Sequence, residues 1–389
     1  SPIFENATTY TNILIFNKGK NKEQVQSWDL SKEYKADKKL ETMLEENSSC
    51  ESLFNEDSFV IIPGSQANIK KRIEEIGTPL KDWDVSIYRG VLTGFNEAFI
   101  IDGAKKEELI KADPKSAKII KPILRGRDIK RYKAEFSDKW LINFHNGYKD
   151  VSAIDIEDYP AIKEHLDSFE PKLSKRYDKG KTPYNLRNCA YLEEFEKEKI
   201  VYSEIVYDSA FYYDKNKIYP EATVFSMTGE SLKYLTALLN SNLITYAFKS
   251  FYAGGDLRGG TFRYKKVFLN NLPIPKADTP QQLPFEILVD CILFAKENNM
   301  ETEANTFESV IDGMVYDLYF EKDMKKAHCY ITDRITEVIK PFKVDDTDEF
   351  KIEYIEKLYK FCRNDKTVFH GIIHRRNIKV VKIINGKKK

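Results

Sequence analysis

The sequence contains no Cys-x-x-Cys pair and no apolar run that approaches the length of a membrane span. Its five cysteines are odd in number and lie far apart. This spacing excludes a zinc knuckle, does not suit a disulfide framework, and is typical of reduced thiols. A transmembrane helix needs about 20 mostly apolar residues, and the first twenty residues show no basic leader of a signal peptide. We therefore expect a cytoplasmic protein with no membrane partner.

Recognisable catalytic signatures are lacking as well. There is no GxxxxGK[ST] loop and no GxGxxG that follows a strand, which excludes nucleotide sites of those kinds. His370 and His374 are four residues apart, but no glutamate follows the first histidine as it does in zinc proteases. Carboxylates alternate with lysines as on solvated helices, and no clean PD…(D/E)xK nuclease pattern occurs. The residues themselves thus assign no catalytic, metal-binding or cofactor-binding position.

What the sequence does contain is enough apolar material for packed domains, at 42% hydrophobic and 13% aromatic residues. A length of 389 residues favours two or three domains. The formal charge of +1 argues against indiscriminate binding of polyanions. It leaves room for a local basic face, because the field in a cleft depends on the charges that line it.

Periodicity divides the chain into four regions and predicts an α+β fold. Residues 1–20 end in a strand-like stretch, Tyr10–Phe16, that has no partner strand and looks like the tail of another domain. Residues 21–82 read as a polar linker with a short helix in "SQANIKKRIEEIG". Residues 83–275 mix short strands, "EAFIID" among them, with helices such as "ESLKYLTALLNSNLITYAFKSFY", and we expect one domain there. Residues 276–389 are mainly helical, with a terminal hairpin expected after Thr367.

Three segments of the α+β region are basic, and each carries glycine or proline and aromatic residues. They are "RGRDIKRY", "PKLSKRYDKGKTPYNLR" and "YAGGDLRGGTFRYKK". Arginine and lysine neutralise phosphates, aromatic rings stack on bases, and glycine lets backbone N–H groups approach a phosphate. One basic loop is usually only a solvated loop. Three within one domain favour nucleic acid, and we expect them to line one face.

The first of these segments follows an apolar run, and the two parts predict different roles. Ile119, Ile120, Ile123 and Leu124 are expected to anchor the segment in the core. The cations after them would then be held rigidly against phosphates or base edges. Asp128, the one acid of the segment, is expected to orient one arginine, so that not every cation meets DNA.

Several blocks resemble a known family in the same order along the chain. They are "YRGVLTGFNEAFIID", "IIKPILRGRDIKRY", "YPAIKEHLDSFEPKLSKR" and "TGESLKYLTALLNSNLITYAFKS…GGTFRYKKVFLNNLPIPK". With "FESVIDGMVYDLYF" after them, they resemble the C-terminal target-recognition region of type IIG restriction-modification enzymes and of TaqI-like adenine-N6 DNA methyltransferases. The resemblance covers most of residues 1–320, and residues 1–20 look like the last strands of the methyltransferase domain.

The resemblance implies a larger parent enzyme. Such enzymes have an N-terminal nuclease domain and an S-adenosylmethionine-dependent methyltransferase domain with an NPPY-type loop, and magnesium is expected for cleavage. This sequence has no NPPY; its nearest string, "KTPYNL", lacks the residues that position the flipped adenine. No position here can therefore take over a catalytic or cofactor role. Double-stranded DNA and the upstream methyltransferase and nuclease domains are the expected partners.

The interpretation as a DNA recognition module without the catalytic part predicts a set of DNA-binding residues. They are Arg89, Thr93, Asn96, Arg125, Arg127, Lys130, Arg131, Lys175, Arg176, Lys179, Lys181, Tyr184, Arg187, Arg258, Thr261, Arg263 and Lys265. Three alternatives stay open. The chain could be a specificity subunit of a multi-subunit restriction-modification system, although only one recognition domain is visible. It could be a protein-interaction scaffold that uses the helices after residue 280, or an enzyme with a divergent site.

Overall fold

Two four-stranded sheets and a large set of C-terminal helices make up the fold, which is α+β as expected. The computed structural model describes residues 64–253 and 260–386, and before them residues 15, 18–19, 25–28, 39–46 and 50–52. The predicted strand Tyr10–Phe16 lies outside the described residues except for Ile15, and Arg258 lies outside them too.

The strands are short, and most of them pair antiparallel. In chain order they are β1 (Val25–Ser27), β2 (Cys50–Ser52), β3 (Thr78–Pro79), β4 (Val85–Arg89), β5 (Ile100–Asp102), β6 (Ile120–Leu124), β7 (Ile129–Lys130), β8 (Lys133–Ala134), β9 (Lys139–Ile142), β10 (Lys199–Ser203), β11 (Ile205–Val206), β12 (Phe211–Asp214), β13 (Tyr219–Pro220), β14 (Val224–Gly229), β15 (Phe262–Arg263) and β16 (Pro273–Ile274). The first sheet has the antiparallel order β12–β10–β14–β4. The second has the order β13–β6–β9–β5, in which β13 runs parallel to β6. The pairs β1–β2, β3–β16, β7–β8 and β11–β15 complete the pattern.

The helices surround these sheets and dominate after residue 278. They are α1 (Leu40–Glu46), α2 (Gly64–Ile76), α3 (Asn96–Phe99), α4 (Gly103–Ala112), α5 (Pro160–Asp167), α6 (Lys172–Lys175), α7 (Leu232–Asn240), α8 (Asn242–Ala247), α9 (Lys266–Leu269), α10 (Thr279–Glu297), α11 (Glu301–Lys326), α12 (Thr332–Thr336), α13 (Asp348–Asn364), α14 (Lys366–His374) and α15 (Lys379–Ile384). Short 3-10 turns occur at Leu80–Asp82, Pro114–Lys118, Gly126–Asp128, Ile156–Asp158, Leu192–Glu196 and Arg375–Asn377, and a π turn at Phe248–Tyr252.

Helix α10 shows how the sequence pattern produces these elements. Asp278 and Gln281 form a capping box: the Asp278 carboxylate accepts from the Gln281 N–H at 2.9 Å, which satisfies a free donor of the first turn. Apolar residues at helical spacing then face inward, and Phe285, Leu288 and Ile292 are buried as the periodicity predicts. The short helix expected near residue 70 is likewise present, as α2.

Buried apolar side chains form two clusters. The first core joins the first sheet to α2, α7, α8 and the C-terminal helices α10 to α15. The second core joins the second sheet to α3, α4 and α5. The C-terminal helices therefore share a core with the first sheet, and the division between cores does not fall at residue 275. The predicted domain boundaries themselves stay a prediction.

The predicted terminal hairpin is wrong, because the segment forms α14 and α15. The carboxylate of Asp365 accepts from the N–H groups of Thr367 and Val368 at 3.1 Å each, which caps the start of α14. In α15, Val381 and Ile384 are the buried residues, three positions apart as on one helix face. The β-branched residues suggested strands, but the inward positions follow the helical period.

Two further predicted elements differ from the structure. The predicted helix over residues 230–252 is broken at Ser241, whose backbone is extended (φ −71°, ψ 151°). Its Oγ accepts from the Ile244 N–H at 3.3 Å and thereby caps α8. The predicted strand "EAFIID" begins as α3 and becomes a strand at Ile100. In the part of the chain that the structure describes, no helix has the length and apolar character to cross a membrane.

Candidate nucleic-acid interface

Strand β6 anchors the first basic segment between the two cores. Ile123 and Leu124 are both fully buried, and because successive strand residues point to opposite faces, Ile123 enters the second core and Leu124 the first. Ile119 and Ile120 are buried in the second core as well. The expected anchoring is confirmed, and the chain leaves this strand into the segment from a point fixed on both sides.

Arg125 is held inside the protein by Asp128. Its Nε and Nη2 donate to the two carboxylate oxygens at 3.0 Å each, and its backbone N–H donates to Oδ2 at 2.9 Å. Nη2 also donates to Ser137 Oγ at 2.7 Å. Burial alone would raise the pKa of Asp128, but the hydrogen bonds from Arg125 lower it overall. Asp128 thus orients one arginine, as expected, and this arginine shapes the turn.

Of the next three cations of the first segment, two face solvent and one contacts a C-terminal helix. Arg127 and Lys130 are exposed, and the Lys130 Nζ donates to the Arg127 carbonyl at 3.0 Å. Arg131 instead reaches α11, where its Nε lies 2.5 Å from Glu308 Oε2. The other oxygen of Glu308 is 3.0 Å from Lys296 Nζ of α10. Arg131 therefore ties the segment to the helical region and keeps Arg127 and Lys130 on the outside.

The first and third basic segments meet at the end of β10. The Gly126 N–H donates to Thr223 Oγ1 at 3.3 Å, and a Cβ on Gly126 would lie 2.7 Å from Ser203 Oγ, so the turn packs closely against Ser203 and Thr223. Strand β11 follows directly after Ser203 and pairs with β15, which contains Arg263. The third segment is therefore a neighbour of the first across these strands.

The second segment reaches the same place through the loop that follows β4. A Cβ on Gly94 would lie 2.8 Å from the Asp178 carbonyl oxygen, and Gly94 has a φ of +67° that favours glycine. In the same loop, Asn96 Nδ2 donates to Glu221 Oε1 at 3.4 Å. Glu221 Oε2 in turn accepts from Thr223 Oγ1 at 2.6 Å. These contacts form a continuous chain from the second segment through Glu221 to the first and third segments.

Arg176 of the second segment is buried and serves the fold. Its five N–H donors all go to backbone carbonyls: those of Thr93 and Asn185, that of Asp178 at 2.7 Å, and twice that of Pro183 at 3.0 and 3.3 Å. The guanidinium also lies 4.5 Å from the centre of the Phe99 ring. Burial lowers its pKa to about 10. No donor remains for DNA, and we remove Arg176 from the proposed contacts.

The predicted DNA-binding residues sort by exposure. Those exposed are Arg89, Asn96, Arg127, Lys130, Lys175, Lys179, Lys181 and Arg187; those partly exposed are Arg125, Arg131, Tyr184, Thr261, Arg263 and Lys265; those buried are Thr93 and Arg176. Thr93 is 1% exposed and orients Asn96 through a hydrogen bond from its hydroxyl, so it too drops out of the proposed contacts. A hydrogen bond to Asp167 raises the pKa of Tyr184 to about 12. DNA contact by the remaining residues stays a prediction.

Two exposed tyrosines near the basic segments were not among the predicted contacts. Tyr177 is 96% exposed and lies between the exposed Lys175 and Lys179. Tyr207 is 72% exposed, and its carbonyl accepts from Lys249 Nζ at 2.9 Å. The composition of the second segment already pointed to Tyr177. No sequence signal pointed to Tyr207, which lies outside the three basic segments.

The opposite end of the first sheet carries the opposite charge. A groove of about 480 Å³ there is lined by acidic residues, among them Asp84, Glu194 and Glu230, with Lys197 as its one basic residue. Asp84 precedes β4 and Arg89 ends it, so this strand runs from the acidic end to the basic end. The sheet thus presents only one of its ends to a polyanion. In the described ranges no cluster of three or more histidine, cysteine or acidic side chains could hold a metal ion.

Comparisons with known proteins found a family model that matches part of the chain and solved structures that resemble it. Residues 121–274 match the family model of the TaqI-like C-terminal specificity domain. Among solved structures, the type IIL restriction-modification enzyme MmeI in complex with DNA aligns with a TM-score of 0.41 and 14% identity, over 73% of this chain and 36% of MmeI. The type IIG restriction endonuclease BpuSI aligns with a TM-score of 0.38 and 16% identity, over 66% of this chain and 33% of BpuSI. The chain thus spans about a third of the length of each. No curated protein matches it significantly.

Proposed function

We propose that the chain, whose residues 121–274 match the family model of the TaqI-like C-terminal specificity domain, is the double-stranded DNA recognition module of a type IIG restriction-modification enzyme in the adenine-specific methyltransferase family. In this proposal the module reads the target sequence. Upstream methyltransferase and nuclease domains of the same enzyme carry out the chemistry on the bound site.

The observation that carries the proposal is the convergence of the three basic segments around Glu221. They are separated by tens of residues in the sequence, yet contacts of Gly94, Gly126 and the β11–β15 pair bring them side by side. Exposed cations on adjacent loops can follow a phosphate backbone, and polar side chains between them can reach base edges. Because the acidic groove lies at the far end of the sheet, the end that carries the basic segments is the one that favours a polyanion.

The proposed parent enzyme needs S-adenosylmethionine and magnesium, and these would bind its upstream domains. The sequence of this chain has no NPPY-type loop, and its described residues form no cluster suited to a metal. We propose no catalytic step for these residues. Their task is to bind and orient the duplex so that the target adenine faces the methyltransferase domain.

Selection from a randomised pool tests the proposal directly. The purified chain is incubated with random duplexes, and the retained DNA is sequenced at two salt concentrations. We expect one short consensus, with weak affinity that falls steeply as salt rises. A pool that stays random, or retention of single strands alone, would contradict the proposal.

Adding the upstream part of the enzyme gives a second test. We expect site-specific binding to strengthen and methyl transfer from S-adenosylmethionine to appear together, because the methyltransferase domain would supply the other wall of the DNA cleft. Methyl transfer or DNA cleavage by the isolated chain would show instead that it is an enzyme with a divergent site.

A further inference from the structure

The end of the chain is basic in a way that the proposed function does not explain. Residues 366–389 contain eight lysines and arginines and no aspartate or glutamate. The rest of the chain contains the other 54 of the 62 lysines and arginines and all 61 aspartates and glutamates, so its net charge is negative. The small positive charge of the protein is therefore due to this last segment.

Folding brings the cations of this segment to the surface. Helices α14 and α15 bury Val368, Val381 and Ile384 against the first core. Lys366, Arg376, Lys379 and Lys382 are left exposed. We call these four residues the C-terminal basic surface.

These cations lack the acidic partners that comparable lysines have. On α13, Lys357 and Lys360 each lie within 4.0 Å of a glutamate one turn away. Within the described part of the chain, no carboxylate lies within that distance of any residue of the C-terminal basic surface. Like charges that are not offset repel one another, so this surface favours binding of a polyanion.

The C-terminal basic surface borders the candidate interface. Helix α15 packs on α8, and α8 leads into the π turn that carries Lys249, which bonds to the Tyr207 carbonyl beside β11. On the other side, Lys366 shares a groove of about 560 Å³ with Lys325, His328 and His370. Lys325 follows Glu308, the partner of Arg131, by 17 residues of α11, and because α11 is kinked at Phe320 the straight-helix length of about 25 Å is an upper limit on their separation.

We propose that the C-terminal basic surface binds the phosphate backbone of duplex DNA outside the recognised sequence. The inference rests on the proposed function, since it requires that the chain engages duplex DNA. The separation along α11 is less than one turn of B-DNA, which is about 34 Å. A duplex on the candidate interface therefore reaches this surface within about one further turn.

The test compares two fourfold variants of the full chain. In one, Lys366, Arg376, Lys379 and Lys382 are changed to glutamine. In the matched control, the exposed Lys322, Lys340, Lys357 and Lys360 are changed to glutamine, which alters net charge equally. Binding is measured by fluorescence anisotropy over a series of salt concentrations, on the selected site in duplexes of about 15 and about 30 base pairs.

We expect the first variant to bind more weakly on the longer duplex alone. The slope of log affinity against log salt should fall there by about 0.9 for each phosphate that the variant no longer neutralises. Behaviour identical to the control, or equal weakening on both duplexes, would overturn the inference and leave the proposed function intact. If the unmodified chain retains no duplex, both fail. A K379Q/K382Q variant keeps the test valid should the fourfold change prevent folding.

An independent observation concerns Asn96, whose amide orientation is fixed by its neighbours. Thr93 Oγ1 accepts from the Phe95 N–H at 3.2 Å and donates its own hydrogen to Asn96 Oδ1. The Glu221 carboxylate can only accept, so Asn96 turns Nδ2 toward it. Among the described residues, one N–H and one lone pair of the exposed amide have no partner. This pair matches N7 and N6 of adenine in the major groove.

We infer that Asn96 reads one adenine of the recognised sequence, which again rests on the proposed function. The pool selection is repeated with Asn96→Ala and with Glu97→Gln, a control at the exposed neighbouring position. We expect N96A to lose a preference for adenine of roughly 5- to 150-fold at one position and to keep the other positions. An unchanged consensus would overturn this assignment while the proposed function stands.

Discussion

Two buried arginines, Arg176 and Arg375, each sit among exposed cations, and the protein accommodates them in different ways. Arg176 donates all its hydrogen bonds to backbone carbonyls. Arg375 is 8% exposed and lies against Gly313 of α11, with its Nη1 3.1 Å from where a Cβ would stand. The charge of Arg375 favours the ionised forms of the buried Asp312 and Asp317, and its Nη1 has no hydrogen-bond partner among the described residues.

The environments of the two arginines respond differently to pH. Backbone dipoles do not titrate, so the environment of Arg176 stays the same across the ordinary pH range. The carboxylates near Arg375 do titrate, and burial raises the pKa of both. The surroundings of Arg176 should therefore be insensitive to pH where those of Arg375 respond.

The largest effect is expected from removing the Arg176 guanidinium. Arg176→Met keeps an apolar stem next to Phe99 but leaves the carbonyls of Thr93, Asp178, Pro183 and Asn185 without their donors. Unsatisfied buried acceptors cost about 1 to 3 kcal/mol each, and with partial relaxation we expect a loss of about 3 to 4 kcal/mol. Urea unfolding followed by tryptophan fluorescence measures it.

The control for this change is the neighbouring Lys175→Met. Lys175 is exposed, so its replacement should alter the free energy of unfolding by less than about 0.5 kcal/mol. A variant R176M within about 1 kcal/mol of the unmodified chain would show that the carbonyls find other partners, and the structural role of Arg176 would fall.

The next effect concerns Asp317, whose pKa burial raises to about 6 although Ile331 and Thr332 donate hydrogen bonds to it. Because the native carboxyl binds its proton more tightly than the unfolded one, its contribution to stability is complete below about pH 4. That contribution is lost as the pH rises through 6. A shift of about two units corresponds to about 3 kcal/mol.

The variant Asp317→Asn stays neutral and so isolates this titration from all others. We expect its free energy of unfolding, relative to the unmodified chain, to rise by about 2 to 3 kcal/mol between pH 4 and pH 8. The exposed Asp323→Asn on the same helix serves as the reference and should show no such rise. A difference that stays level with pH would mean that Asp317 is ionised throughout.

Local sequence patterns predicted those features of the fold and site that depend on neighbouring residues. The apolar run Ile119–Leu124 gave the anchor of the first segment, and the single acid among its cations gave the partner of Arg125. Helical spacing gave α10 and α11. Each of these inferences uses residues within a few positions, where periodicity and charge pairing act directly.

Local patterns could not predict features that depend on residues far apart in the sequence. Lys175 and Arg176 are adjacent in an irregular loop, and no period marks the second as buried. Arg131 pairs with a glutamate 177 residues away, which no local pattern shows. The terminal hairpin was mispredicted because β-branched residues suit strands in isolation, whereas burial of α14 against α11 and of α15 against α2 and α8 selects helices here.

The third prediction concerns the ion pair of Arg131 and Glu308, which links the first basic segment to α11. The side chains are 23% and 13% exposed, so solvent screens their attraction less than at the surface. In a double-mutant cycle with R131M and E308Q we expect a coupling energy of about 1 to 2 kcal/mol. The exposed pair of Glu353 and Lys357 should give about 0.5 kcal/mol or less. Equal couplings would mean that Arg131 does not fasten the first segment to α11.

The smallest effect on stability, and the clearest on binding, is expected from the exposed cations of the basic segments. Arg127, Lys130 and Lys181 are exposed, and replacing all three with glutamine should change the free energy of unfolding by less than about 0.5 kcal/mol per site. The same variant should bind duplex DNA more weakly, with a salt slope reduced by about 0.9 for each phosphate that it no longer neutralises. Anisotropy titrations at several salt concentrations, with urea unfolding of the same samples, measure both quantities. An unchanged salt slope in a stable variant would show that DNA does not contact these loops. A change confined to one base position would show that the residue concerned reads a base and does not contact a phosphate.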